Sequence, residues 1–272
     1  MFKCDYHTHT YFSFDGEKDS SPEALCEAAI ARGITDLAIT DHFECNWKTD
    51  GEYAPYNASL AYEQIMQAKK KYKGKLHLTY GIELGQANQC PEEAMALLDS
   101  YNYEFVIGSI HNLRGLSDFY FFDFSDADSN YISDLFDRNI DELCEVINTV
   151  DKIDTVAHIT YMHRYVALAG KEYSFSEHAE RLSALFSKMI SRGIALEVNL
   201  STICKGLGFA MPDRDILSLY RDCGGRLITL GTDAHSPNQV GSHISDGFEL
   251  LRSVGLDNVL VVRNGEKTIV KI

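Results

Sequence analysis

Seven short β-rich runs alternate with longer stretches of helical period from one end of the chain to the other, and this alternation constrains the fold more than any other feature. The runs are "KCDYHTH" ending at His9, "DLAITDH" at His42, "HLTYGIE" at Glu83, "FVIGSIH" at His111, "TVAHI" at His158, "ALEVNL" at Leu200 and "LITLGTDAH" at His235. Strands that alternate with helices predict a parallel sheet joined by crossover helices. The helices are expected at 22–32, 57–73, 91–101, 128–149, 176–192, 213–222 and 242–254. The first has Ser21 as its N-cap, Pro22 in its first turn and Gly33 after its end. No linker, repeat or low-complexity tract interrupts the series, so residues 1–272 are expected to form one domain. Asn264-Gly265, between β-rich runs near the end, predicts a closing hairpin.

The polar residues follow the same pattern. Six of the 10 histidines stand at or next to the carboxyl end of a predicted strand. In a barrel those ends share one rim, where residues distant in sequence become neighbours. The rim then gathers His7, His9, His42, Glu83, His111, His158, Asp233 and His235, and the first loop, "YFSFDGE", adds Asp15. Within an extended segment, residues two apart face the same side, so His7 and His9 can grip one ion, as can Asp233 and His235. Nine nitrogen and oxygen donors exceed what one four- or five-coordinate ion uses. The economical reading is a cluster of two or three metals sharing a carboxylate, with Glu83 the candidate bridge.

Composition narrows the function classes. The net charge of −15 opposes the electrostatic footprint of a nucleic-acid or anionic-membrane binder. The sequence has no run of eighteen apolar residues and no secretory signal pattern at its start, so the expected location is cytoplasmic. Seven scattered cysteines without any Cys-X-X-Cys argue against a disulfide framework or a zinc ribbon, and for mostly reduced thiols.

In order along nearly the whole chain, "YHTHT", "ITDH", "GIELG", "GSIH", "AHI", "EVN" and "GTDAHSP" resemble the polymerase and histidinol phosphatase (PHP) superfamily, in its histidinol-phosphatase-like branch. The resemblance implies a distorted (β/α)7 TIM-like barrel, a single α/β domain, with a centre of three divalent ions: manganese, iron or zinc. Carried over, His7, His9, Glu83 and Asp233 hold one ion; Glu83, His111 and His158 a second; Asp15, His42 and His235 the third. The first-loop position is often histidine in relatives, and Asp15 here tilts the preference toward a harder ion such as manganese or iron. The implied chemistry is in-line attack on a phosphomonoester by a metal-bound hydroxide, with Glu83, Asp233 and Arg164 as catalytic residues.

The implied partner is a small phosphate ester, most directly L-histidinol phosphate of histidine biosynthesis. The alternative is another PHP substrate such as a nucleotide or phosphodiester. Neither nucleic acid nor membrane is expected, and the oligomeric state stays open. Arg164, in "HITYMHRY", matches a position where this branch places a phosphate-gripping arginine, and a planar fork suits that task. Nearby His163 is a candidate to protonate the leaving alkoxide. One departure stands out. Where the branch tends to read Glu-Ile-Asn-Thr-Ser-Gly-Leu-Arg, this chain has "EVNLSTICKG", which puts Cys204 at the arginine position and Lys205 after it. Either Lys205 reaches the phosphate as a mobile point charge, or the pocket is rebuilt for another metabolite.

Overall fold

The computed structural model describes residues 2–45, 55–263 and 265–272. Its main sheet runs in the order β1 (Cys4–Asp5), β2 (Asp36–Ile39), β4 (His77–Gly85), β5 (Phe105–Ser109), β6 (Thr155–Val156), β7 (Ala195–Asn199) and β8 (Ile228–Gly231). Every neighbouring pair in it is parallel. An eighth piece, β3 (His42–Glu44), lies parallel to the far end of β4, with His42 opposite Glu83. The ring closes between its first and last members. Tyr6 N donates to Leu230 O at 2.9 Å, Asp233 N to His7 O at 2.8 Å and His9 N to Ala234 O at 2.7 Å. The single-domain, TIM-like barrel expected from the alternation and the resemblance is therefore the fold observed.

The crossover helices fall where the helical period puts them: α1 (Pro22–Ala31), α2 (Ala58–Lys71), α3 (Pro91–Ser100), α4 (Ser129–Thr149), α6 (Ala179–Arg192), α8 (Arg214–Asp222) and α9 (Ile244–Ser253). Two short ones, α5 (His163–Leu168) and α7 (Ser201–Cys204), are additions. Local chemistry fixes the ends. Ser21 Oγ accepts from Ala24 N at α1, Asp128 from Tyr131 N at α4, and Gly193 takes the left-handed conformation that ends α6. On α4 the residues Ile132, Leu135, Phe136, Ile140, Leu143, Val146 and Ile147 are buried, a three- and four-residue spacing that packs one stripe against the sheet and α6. Each such side chain contributes roughly 1.5–3 kcal/mol of burial free energy.

The antiparallel hairpin of β9 (Asn258–Arg263) and β10 (Glu266–Lys271) forms as expected, although Asn264 of its turn lies outside the described residues. Tyr6 Oη donates to Val262 O at 2.9 Å and Thr79 Oγ1 to the same oxygen at 3.1 Å, so the hairpin stops the barrel from below. That leaves the carboxyl rim open.

One expectation needs correction. The strands end earlier than drawn: β1 at Asp5, β6 at Val156 and β8 at Gly231, because the chain leaves sheet geometry to aim its polar residues. His158 and Asp233 take positive φ values of 24° and 56°, which side-chain-bearing residues seldom adopt and which sheet pairing does not permit. The cysteines are mostly thiols, as expected. Five are free, while Cys45, carried forward by β3, meets Cys90 before α3 as a disulfide with Cα atoms 5.4 Å apart.

Candidate metal centre

The rim gathers all nine donor residues around Glu83, which is fully buried. Its two carboxylate oxygens face different neighbours. Oε1 lies 3.2 Å from His111 Nε2 and 3.0 Å from His158 Nε2. Oε2 lies 3.1 Å from His7 Nε2 and 3.6 Å from His9 Nε2, with His42 Nδ1 at 3.0 Å. Asp233 Oδ1 is 3.3 Å from His9 Nε2 and 3.9 Å from His7 Nε2. Asp15, on the first loop, is the most exposed of the set. It reaches His235 Nε2 at 3.0 Å and His42 Nε2 at 3.7 Å. His7, His9 and Asp233 form one compact triple; His7, Glu83 and His158 a second; His42, Glu83 and His111 a third; His9, His42 and His235 a fourth.

This donor set fits divalent cations. The His9 ring stacks 4.2 Å from His42 and 4.3 Å from His235, and the Nε2 atoms of His9 and His235 turn toward the carboxylates of Asp233 and Asp15. Imidazoles crowded so closely cannot all be protonated. Burial, with the nearby His42 and His235, lowers the His9 pKa to about 3, leaving a neutral ring with its lone pair aimed inward. Burial alone would raise the Glu83 carboxyl, but His7, His42 and His111 outweigh it and hold it well below the ordinary range. Asp233 is likewise held low against burial by His7 and His9.

The opposite ring nitrogens are tied down by groups the sequence reading did not single out. His7 Nδ1 donates to Glu197 Oε1 at 2.5 Å and His111 Nδ1 to Glu44 Oε1 at 2.9 Å. His9 Nδ1 donates to Ser13 Oγ at 3.1 Å, and His235 Nδ1 to the Asp233 carbonyl at 2.9 Å. Each bond fixes a tautomer and leaves Nε2 for a metal. Glu44 is itself held by Gln86 Nε2 at 2.7 Å, and Gln86 Oε1 accepts from His111 N at 3.0 Å. A signal for these carboxylates was present: a glutamate within the apolar run "ALEVNL" of a buried parallel strand must find a partner.

Above the cluster opens a cavity of about 360 Å³ whose lining includes Asp118, Tyr120, Phe121, Tyr161, Arg164, Tyr165, Lys205 and Gln239. Arg164 is 5% exposed, with its guanidinium carbon 5.2 Å and 5.9 Å from the centres of the Tyr161 and Tyr165 rings. Its Nε is buried and has no hydrogen bond among the described residues, and Nη2 lies 3.4 Å from Asp233 Oδ2. Lys205 stands at the cavity edge, whereas Cys204 lines a separate, smaller hollow. The expectation for His163 fails. Its ring stacks 4.1 Å from Phe209 and packs on Phe175, and it is not among the residues lining the cavity.

Residues 5–201 match the profile of the PHP domain. The chain belongs to the PHP family. Among curated PHP relatives, a probable histidinol-phosphatase of Clostridium acetobutylicum is 25% identical over 260 residues, spanning 94% of this chain and 95% of its own length. The histidinol-phosphatase of Lactococcus lactis is 26% identical over 261 residues, 94% and 92% of the two chains. The crystal structure of histidinol phosphate phosphatase from Lactococcus lactis, complexed with zinc, L-histidinol and phosphate, superposes with a TM-score of 0.83 at 24% identity. The match covers 98% of this chain and 100% of that one.

Proposed function

We propose that this PHP protein is a metal-dependent phosphomonoesterase that hydrolyses L-histidinol phosphate to L-histidinol and inorganic phosphate. One observation carries the reading: the two oxygens of buried Glu83 face separate histidine groups, His111 and His158 on one side and His7, His9 and His42 on the other, beneath a cavity whose lining includes the guanidinium-bearing Arg164. The kinship to histidinol-phosphatases over nearly the full chain supports the same substrate.

In this reading three ions, manganese, iron or zinc, occupy the cup. His7, His9, Glu83 and Asp233 hold one, Glu83, His111 and His158 another, and Asp15, His42 and His235 the third. Divalent ions there supply Lewis acidity, which makes water a nucleophile near neutral pH and neutralises the phosphoryl oxygens. The protein's own part is binding and orientation. Arg164 clamps the phosphoryl group and Lys205 adds a point charge from the edge, so a dianion is drawn to a locally positive site on an acidic protein. Asp118, with the exposed rings of Tyr120 and Phe121, suits a leaving alcohol that carries a cationic amine and a flat ring.

The test is hydrolysis by the metal-loaded chain across phosphomonoesters and phosphodiesters, with metal content measured by elemental analysis. Fastest turnover of L-histidinol phosphate, with two or three ions bound per chain, is expected. A faster phosphodiester substrate, or less than one ion per chain, overturns the reading.

A further inference from the structure

Strand β7 gives none of the nine donor residues, yet alternate residues from its end into the first residue of α7 contact the site. Glu197 touches His7, Asn199 lies beside Asp233, and Ser201 bonds Arg164. We infer that Ser201 and Asn199 are positioning residues, forming with Glu197 a one-way hydrogen-bonded relay that fixes the Arg164 clamp relative to the metal cup. The inference rests on the phosphatase reading above.

The direction follows from donor chemistry. An arginine only donates, so Arg164 Nη2 donates to Ser201 Oγ. That hydroxyl must then spend its own proton elsewhere, and it donates to Asn199 Oδ1, which also accepts from Ser201 N at 3.1 Å. With Oδ1 committed as an acceptor, the Asn199 amide has one orientation. Its Nδ2 faces Glu197 Oε2 at 3.2 Å and Asp233 Oδ2 at 3.5 Å. Glu197 only accepts. Oε2 also takes His158 N at 2.9 Å, while Oε1 takes His7 Nδ1 at 2.5 Å. The chain therefore starts at the cation that grips phosphate and ends on residues that hold two of the donors to the ions. Asn199, Ser201 and Glu197 are all buried, so no water replaces a lost link cheaply.

The relay supplies what stacking cannot. Tyr161 and Tyr165 lie against the guanidinium but give it no fixed direction toward the metal cup. Ser201 Oγ aims Nη2 there, 3.4 Å from Asp233 Oδ2, the oxygen that Asn199 Nδ2 also faces. Aspartate cannot serve at position 199, because it lacks the donor and adds a third carboxylate beside Glu197 and Asp233.

The experiment compares metal-loaded wild type with Ser201→Ala, Ser201→Thr, Asn199→Asp, Arg164→Ala and the Arg164→Ala/Ser201→Ala double variant. It measures metal content, inorganic phosphate affinity by calorimetry, and KM and kcat for the phosphomonoester. Ser201→Ala is expected to keep full metal content while phosphate Kd and KM rise roughly tenfold and kcat changes less. Ser201→Thr restores both constants. The double variant matches Arg164→Ala instead of adding to it. Asn199→Asp weakens phosphate binding at least as much as Ser201→Ala. Equal phosphate affinity in wild type and Ser201→Ala, additive losses in the double variant, or loss of metal in Ser201→Ala overturns the relay. Phosphate binding that depends on Ser201 in a wild type without phosphomonoesterase activity overturns the esterase reading and leaves the relay standing.

Discussion

At the residue scale the proposed chemistry divides between groups assigned to the ions and groups assigned to the substrate, and the two should answer differently to mutation. Glu83→Gln leaves volume unchanged but replaces the proposed bridging anion with a neutral amide among five histidines. Metal content and hydrolysis are expected to fall together, read by elemental analysis and turnover; a variant that keeps full metal content removes Glu83 from the bridge. Lys205 answers only to substrate. Lys205→Ala should raise KM with metal content unchanged, and Cys204→Arg, at the position where the resemblance implies a planar fork, should lower it, provided the new side chain reaches the cavity from the adjacent hollow. A silent Lys205→Ala would assign the phosphate charge to Arg164 alone. The clustering of the nine residues was legible in sequence because strand periodicity and the shared rim say where strand-end side chains meet. His163 misled because nearness in sequence to Arg164 says nothing of direction on a helical turn, and there it packs against Phe209.

The elements translate those residues into geometry, and glycine decides how closely they pack. At Gly85, the end of β4, an added Cβ would overlap the Glu44 carboxylate, the group that orients His111. Gly85→Ala should therefore displace Glu44 and weaken metal affinity by roughly tenfold or more, the usual cost of disturbing a residue behind a ligand. Equilibrium dialysis against a graded metal buffer reads this, and unchanged affinity would show that Glu44 does not set His111. The alternation of strand and helix was legible because hydrophobic period and capping residues are local. The three-residue β3 was not, since its only warrant is the register of His42 on Glu83, a contact between residues 41 positions apart in sequence. The early strand ends were hidden for a related reason: the positive φ of His158 and Asp233 is imposed by the site and contradicts local preference. The disulfide of Cys45 with Cys90 depends on β3 and was hidden with it.

On the scale of the whole molecule, the rim concentrates what the rest of the fold would otherwise avoid. Glu44, Glu83 and Glu197 are buried together beneath Asp233, in a protein already carrying a net charge of −15. Burying carboxylates so close together costs folding free energy unless cations compensate. In the metal-free protein, protonated histidines offset part of this, as His111 illustrates: burial lowers its pKa, but Glu44 and Glu83 outweigh that and raise it to about 10. Divalent ions compensate better, and they bind the folded cup far more tightly than an unfolded chain in which the nine donors are scattered from position 7 to position 235. Linkage then requires ions to stabilise the fold, by about 2.7 kcal/mol for each independent site at a free concentration 100 times its Kd. For a chain of this size that corresponds to a rise in Tm of roughly 5 °C per site. The measurement is calorimetric melting of chelator-treated protein against the same protein resupplied with manganese, iron or zinc under matched ionic strength. Because the donors follow the ends of most of the barrel's strands, the whole transition should shift as one cooperative unit and no early local phase should appear. Identical melting with and without ions would mean that the cluster is held by its own hydrogen bonds and ion pairs, and that the rim is not a metal centre.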